Sequence, residues 1–183
     1  MLKNKNNKNL LLHSCCAPCA VRVALMLDKK YKLTLFFYNP NIHPEYEYKK
    51  RLEELKKFSK ERKFNLVVGD YDTADWFDKT IEHAGDYERG ERCSICYSKR
   101  LENTAKYAKN NNFDIWGTTL TISPHKSAEV INCIGKNFEI EYGIKFLESD
   151  FKKKDGFKKS LELSWQYNFY RQNYCGCLYS QLK

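Results

Sequence analysis

Apolar residues fall along this chain in two alternating rhythms. Short continuous apolar runs at residues 10–12, 33–38, 64–69, 113–119 and 144–147 have the length of buried strands. Between them, apolar positions recur every three or four residues, which lays them on one face of a helix. Ala20, Val23, Ala24 and Leu27 form the first such stripe, and Tyr48, Leu52 and Leu55 the second. A short helix is expected over 73–83, and one over 94–109 with Tyr97, Leu101, Ala105 and Ala108 on its apolar face. Ala128, Val130, Ile131 and Ile134 mark the last of the series, with Ser123-Pro124 as its start. Pro18 and Pro44 suit the opening turns of the first two helices. Strand and helix in alternation predict one α/β domain over 10–183. Its expected form is a three-layer, Rossmann-like fold, a mainly parallel sheet flanked by helices, with ligands gathered at the C-terminal strand ends. Residues 151–174 are expected to form a helical, basic and aromatic C-terminal segment. Residues 1–9, polar and without periodicity, are expected to be disordered. No internal repeat interrupts the pattern.

Charge adds a partner to this picture. Over 183 residues, 32 Lys and Arg against 23 Asp and Glu leave a formal charge of +9, which suits a polyanion, although a Lys- and Asn-rich composition alone produces the same excess. No run approaches the roughly 20 apolar residues that span a bilayer, and the N-terminus lacks the apolar segment of a signal peptide, so a cytoplasmic location with no membrane partner is expected. In a reducing compartment, eight cysteines point to metal ligation or redox chemistry rather than structural disulfides.

Seven of the eight lie in three groups. Cys15 and Cys16 are adjacent where a strand end becomes a helix start, a place that favours thiolates. Cys93-Ser-Ile-Cys96 places two more sulfurs on one turn at another helix start. Four soft ligands suit a structural zinc or an iron–sulfur cluster, and spacing does not separate the two. Cys19, one turn beyond the adjacent pair, either ligates a second metal or supports the site. Cys175-Gly-Cys177 would close a very small, strained disulfide ring, the easily reduced kind, and reads as a redox pair; the alternative is two further ligands. Cys133 falls on the apolar face of its expected helix and reads as core. His13, beside a strand end, reads as structural, with a direct role as ligand or proton donor the lesser alternative. In the basic and aromatic segment, Lys152, Lys153, Lys154 and Arg171 are candidate RNA-binding residues, since cations neutralise phosphates while aromatic rings stack on unpaired bases. Taken singly, the aromatics of that segment read as core.

Five ordered motifs carry a resemblance: His13-Ser-Cys-Cys-Ala-Pro-Cys19, Phe37-Tyr-Asn-Pro-Asn-Ile-His-Pro44, Glu91-Arg-Cys-Ser-Ile-Cys-Tyr97, Thr118-Thr-Leu-Thr-Ile-Ser-Pro124 and Tyr170-Arg-Gln-Asn-Tyr-Cys-Gly-Cys177. Together they resemble the QueH family of epoxyqueuosine reductases from about residue 10 to 178. The resemblance implies a small α/β enzyme that converts epoxyqueuosine to queuosine in the tRNA anticodon loop, the last step of queuosine biosynthesis. It implies a 4Fe-4S cluster on Cys15, Cys16, Cys93 and Cys96, with Cys175 and Cys177 as the redox-active pair. An additional iron is left open with Cys19, no cobalamin is implied, and the electron donor is unidentified. It also selects iron over zinc, and the chemistry agrees, because removing an epoxide oxygen needs two electrons and zinc has no redox chemistry.

Two other readings compete. A zinc-stabilised RNA-binding module without catalysis explains the charge and four of the cysteines but leaves Cys175 and Cys177 without a task. An ATP-using tRNA-modifying enzyme with a similar sheet would carry a glycine-rich phosphate loop after the first strand, and here Ser14-Cys-Cys-Ala-Pro-Cys19 has no glycine.

Overall fold

A computed structural model of the chain describes residues 8–181. It consists of β1 (Asn9–His13), α1 (Ala17–Leu27), β2 (Lys32–Phe37), α2 (Glu45–Arg62), β3 (Asn65–Val68), α3 (Thr73–Thr80), α4 (Glu91–Asn110), β4 (Ile115–Thr118), α5 (Ala128–Tyr142), β5 (Lys145–Phe146), α6 (Gly156–Gln166) and α7 (Leu178–Gln181). Short 3₁₀ turns follow α3 at Ile81–His83 and β4 at Leu120–Ile122. All five strands are parallel, in the order β3-β2-β1-β4-β5.

The period-2 alternation of a strand decides what each face meets. Leu10 and Leu12 point into one apolar layer with Leu33, Leu35 and Phe37, under α1 and α2. Leu11 points into the other with Phe36, Trp116 and Phe146, under α4 and α5. A central strand buried on both faces therefore reads as a continuous run, as Leu10-Leu11-Leu12 does. The chain leaves β1 first toward β2 and β3 and later returns to its other side as β4. The strand order reverses there, and a crevice opens beyond the strand ends. His13 ties this point together. Leu120 N–H donates to Thr118 Oγ1 (3.1 Å), so the Thr118 hydroxyl donates to His13 Nδ1 (2.9 Å) and Nε2–H donates to the Tyr38 carbonyl (3.1 Å). Fully buried and with both ring nitrogens engaged, His13 is a pin between β1, β2 and β4.

Differences from the sequence reading have local causes. Cys133 is exposed rather than core, because the buried stripe of α5 runs through Ile131, Ile134, Gly135 and Phe138, and position 133 faces away from it. That helix starts at Ala128, capped by Ser127 Oγ on Val130 N–H, while Ser123-Pro124 forms a separate turn whose Ser123 Oγ takes the His125 N–H. α4 begins at Glu91 and so includes both Cys93 and Cys96. In the C-terminal segment, α6 packs on α1, with Ser160 Oγ donating to the Pro18 carbonyl (2.6 Å). Phe151, Tyr167 and Phe169 join the core, and Trp165, 69% exposed, stands out from it. Of residues 1–9, 1–7 lie outside the described residues, and Asn9 opens β1. No helix among the described residues is long and apolar enough to cross a membrane.

Candidate functional site

The switch point collects the cysteines. After β1 the chain turns through Ser14 and Cys15 into Cys16, whose extended backbone caps α1 and whose carbonyl takes the Ala20 N–H (3.0 Å). Cys19, on the first turn of α1, comes back over the pair. The sulfurs of Cys15, Cys16 and Cys19 lie within 4.8 Å of one another, with 3.7 Å between Cys15 and Cys16. Among the described residues, these are the one set of sulfur, imidazole or carboxylate donors close enough together to hold a metal as they stand.

Cys93 and Cys96 lie on the first two turns of α4, with Cys93 Sγ accepting the Arg89 N–H (3.3 Å). Cys175 and Cys177 follow α6 on a loop that returns to the same place. Cys15, Cys19, Cys93 and Cys175 all line one cavity of about 230 Å³, whereas Cys16, Cys96 and Cys177 are buried and do not line it. The four sulfurs of Cys15, Cys16, Cys93 and Cys96 thus border one site without closing on a single point. Cys175 and Cys177 are both free thiols near enough to Cys93 and Cys96 to act on their ionisation.

Cations surround these sulfurs. Arg100, on α4 and 1% exposed, donates from Nη2 to Asn39 Oδ1 (2.7 Å) and holds Nη1 4.0 Å from Cys96 Sγ; its Nε has no partner. Arg51, on α2 and 2% exposed, pairs with Glu47 (2.7 Å). Lys126 lines the cavity. Burial opposes its charge, but Cys175, Cys15 and Cys19 more than offset this and hold its pKa well above the usual lysine range. Among the described residues, no carboxylate pairs with Arg100 or Lys126. A buried guanidinium with an orphaned Nε and a lysine without a carboxylate partner, both beside clustered thiols, suit an anionic metal–thiolate group, so the residues present fit such a group.

The thiols divide accordingly. Hydrogen bonds from Cys16 and Cys19 hold Cys15 well below the ordinary thiol range, with Lys126 and Arg100 assisting. Cys16, donating to Cys15, is pushed up to about 11, and Cys19 is raised for the same reason. Burial lifts Cys96 to about 11 against the pull of Arg100. Burial also keeps the Tyr97 phenol, in the cavity wall, protonated through the neutral range.

Of the expected RNA contacts, Arg171 is exposed at the rim of the cavity, and Lys153 and Lys154 are exposed. Lys152 is engaged with Asp150 (3.1 Å) and the Lys126 carbonyl (3.5 Å). Sequence reasoning passed over Arg51, Arg100, Lys126 and Gln172, whose Nε2 donates to Cys16 Sγ (3.3 Å). For the two arginines a signal existed. Each is a charge inside its helix's apolar stripe, Arg51 between Tyr48 and Leu55, Arg100 between Tyr97 and Thr104.

The family model described as "Epoxyqueuosine reductase QueH" matches residues 10–183. Epoxyqueuosine reductase QueH of Acinetobacter baylyi is 40% identical over 96% of this chain and 81% of its own length. The protein of the same name from Thermotoga maritima is 36% identical over 95% and 91% respectively. Among solved structures, the U34-tRNA thiolase NcsA from Methanococcus maripaludis with its [4Fe-4S] cluster aligns with a TM-score of 0.64 at 14% identity, over 96% of this chain and 62% of that one. At that identity, the likeness is one of fold.

Proposed function

The chain belongs to the epoxyqueuosine reductase QueH family, and on that premise we propose that it converts epoxyqueuosine to queuosine in the anticodon loop of tRNA, at the cysteine-lined cavity. Its relatives bear the name of an oxidoreductase, and this chain is one. The observation that carries the mechanism is that one switch-point cavity is lined by Cys15, Cys19, Cys93 and Cys175 together with Arg100 and Lys126, cations without carboxylate partners.

Removing the epoxide oxygen breaks two C–O bonds and leaves an alkene and water, which takes two electrons and two protons. Bound to these thiolates, a 4Fe-4S cluster would supply one-electron transfer at low potential. Cys15 and Cys16 on the α1 side, with Cys93 and Cys96 on the α4 side, would hold it, and Cys19 is placed to hold an additional iron beside Cys15 and Cys16. Arg100 and Lys126 balance the thiolate charge. Cys175, facing the cavity, and the buried Cys177 would deliver two electrons and two protons as they pass from dithiol to disulfide, to be reduced again by an external donor. Tyr97, kept protonated in the cavity wall, can pass one of these two protons to the departing oxygen and be reprotonated from the dithiol. Arg171, Lys153 and Lys154 would meet the phosphates of a loop whose bases are already unpaired. The reading needs no cobalamin, no ATP and no membrane, and places the protein in the cytoplasm with tRNA.

The test is anaerobic protein, a reductant and an anticodon stem-loop carrying epoxyqueuosine, with metal analysis on the same sample. Iron and sulfide in the protein, together with queuosine in the digested RNA without added cobalamin, support the reading. A colourless protein with stoichiometric zinc that binds the stem-loop without changing it would make the chain an RNA-binding module.

A further inference from the structure

Residues 169–177 form neither helix nor strand, yet they bring Arg171, Gln172, Cys175 and Cys177 to the site. A segment of this kind needs side chains from elsewhere to fix it, and α2 supplies them. Arg51 Nη1 donates to the Cys175 carbonyl (3.0 Å), and its Nε donates to Glu47 Oε1 (2.7 Å). The other oxygen of Glu47 takes the Tyr170 hydroxyl (3.0 Å), and Glu54, two turns along α2, takes the Tyr170 N–H (3.1 Å). From the turn before α2, His43 N–H donates to the Gly176 carbonyl (2.8 Å) and the His43 carbonyl takes the Tyr174 hydroxyl (2.7 Å).

We propose that Arg51 and Glu47 are positioning residues of the reduction, a buried pair that sets where Cys175 stands in the cavity by holding the backbone of the Cys175-Gly-Cys177 loop. The proposal rests on the function proposed above. Three observations set this pair apart from one that merely stabilises α2. A buried ion pair is a poor stabiliser compared with apolar side chains of the same size, so its value lies in where it directs its donors. Arg51 Nε stays on α2 with Glu47, but both terminal nitrogens are spent on the loop, Nη1 on the Cys175 carbonyl 124 residues away (3.0 Å) and Nη2 on the Tyr174 carbonyl (3.5 Å). Gly176 is also shaped to the guanidinium. Its φ is +128°, and a Cβ there would stand 2.9 Å from Arg51 Nη1 and 3.2 Å from Ile42 Cγ1, so glycine alone lets the loop lie against Arg51. The result is a dithiol kept open: Cys175 faces the cavity, while Cys177 is turned into the cluster of Trp76 and Cys96, its thiol toward Ser180 Oγ (3.4 Å).

The test uses the full chain, with Arg51→Lys, which keeps the charge but loses the fork, and Gly176→Ala and Tyr174→Phe, which loosen the same loop from its own side. Two quantities are read: kcat and KM for the epoxyqueuosine stem-loop with iron-loaded protein, and the dithiol–disulfide equilibrium of Cys175 and Cys177 in glutathione buffers, followed by mass without substrate. Arg51→Lys and Gly176→Ala are expected to keep iron content and KM within about threefold of the parent. They should lower kcat by about tenfold to a hundredfold, as a misplacement near one ångström does, and shift the equilibrium at least tenfold toward disulfide. Tyr174→Phe should move both in the same direction by less. Parent kcat and parent equilibrium in Arg51→Lys and Gly176→Ala would overturn the proposal. Should Arg51→Lys fail to fold, Gly176→Ala decides alone, since its site is in the loop and outside the sheet layers. A parent that leaves the nucleoside unchanged, with variants that still shift the equilibrium, would uphold the hold on the loop and remove the reaction it serves.

Discussion

Replacing Arg100 with Met keeps most of the buried volume and removes a charge that no carboxylate balances. With Nη1 4.0 Å from Cys96 Sγ, Coulomb's law at an effective dielectric constant of about 20 gives an attraction of about 4 kcal/mol for the thiolate. That energy corresponds to roughly a thousandfold difference in the thiolate population of Cys96 at a given pH. Burial already pushes Cys96 up to about 11, so without Arg100 the sulfur has little capacity to ionise in the neutral range and is a poor metal ligand. Iron retained per chain, measured after a chelator challenge across pH 6 to 9, should fall well below the parent in Arg100→Met and recover in part in Arg100→Lys. The metal-free Arg100→Met chain should meanwhile resist urea about as well as the parent, because removing a buried cation with no carboxylate partner offsets the loss of its bond to Asn39 Oδ1. Iron retention equal to the parent at every pH would refute the assignment of Arg100 as a counter-charge to the thiolates.

The cysteine groups should separate by phenotype: Cys15→Ala, Cys16→Ala, Cys93→Ala or Cys96→Ala should each lower iron content and abolish turnover, whereas Cys175→Ser and Cys177→Ser should keep iron and lose turnover, and iron loss in the latter two would make them ligands. Acid should destabilise the metal-free chain in part through His13, whose pKa burial lowers to about 3. The unfolded chain takes up that proton near pH 6.5 and the folded one does not, so stability is full above about 6.5 and falls toward 3 by about 1.4 kcal/mol per pH unit from this group. Urea titrations of His13→Gln between pH 4 and 6 should show a shallower slope by that amount, and an equal slope would contradict the buried neutral imidazole. Arg171→Ala and the pair Lys153→Ala, Lys154→Ala should each weaken stem-loop binding and reduce its salt dependence by one to two phosphate contacts; an unchanged salt slope would place the RNA elsewhere.

What the sequence disclosed depended on how local the cause was. Leu10-Leu11-Leu12 and the stripe from Tyr97 to Ala108 reveal strand and helix because their pattern is set by the element's own period. Cys15 and Cys16 at a helix start were legible for the same reason, and so was the start of α4 that carries Cys93 and Cys96. The start of α5 was misplaced because Ser123-Pro124 and Ser127 both offer helix-start chemistry, and only the hydrogen bond on Val130 N–H distinguishes them. Cys133 was misjudged by one position on a helix whose apolar stripe is narrow. Cys19 turning its sulfur onto Cys15 and Cys16 depends on side-chain direction rather than spacing. Contacts across the chain leave no local trace: nothing near Cys175 indicates that Arg51 holds its carbonyl, or that Gln172 reaches Cys16 across 156 residues.

The account turns on whether metal-held thiolates in this cavity carry out the reduction, and one paired measurement addresses that directly. The same chain is loaded with iron and sulfide in one sample and with zinc in another, and both are given dithionite and the epoxyqueuosine stem-loop without air. The mass of the nucleoside released from each RNA is then read. The account predicts loss of one oxygen with the iron-loaded protein and an unchanged nucleoside with the zinc-loaded one. Equal conversion by both, or an unchanged mass with iron-replete protein that binds the stem-loop, would contradict it.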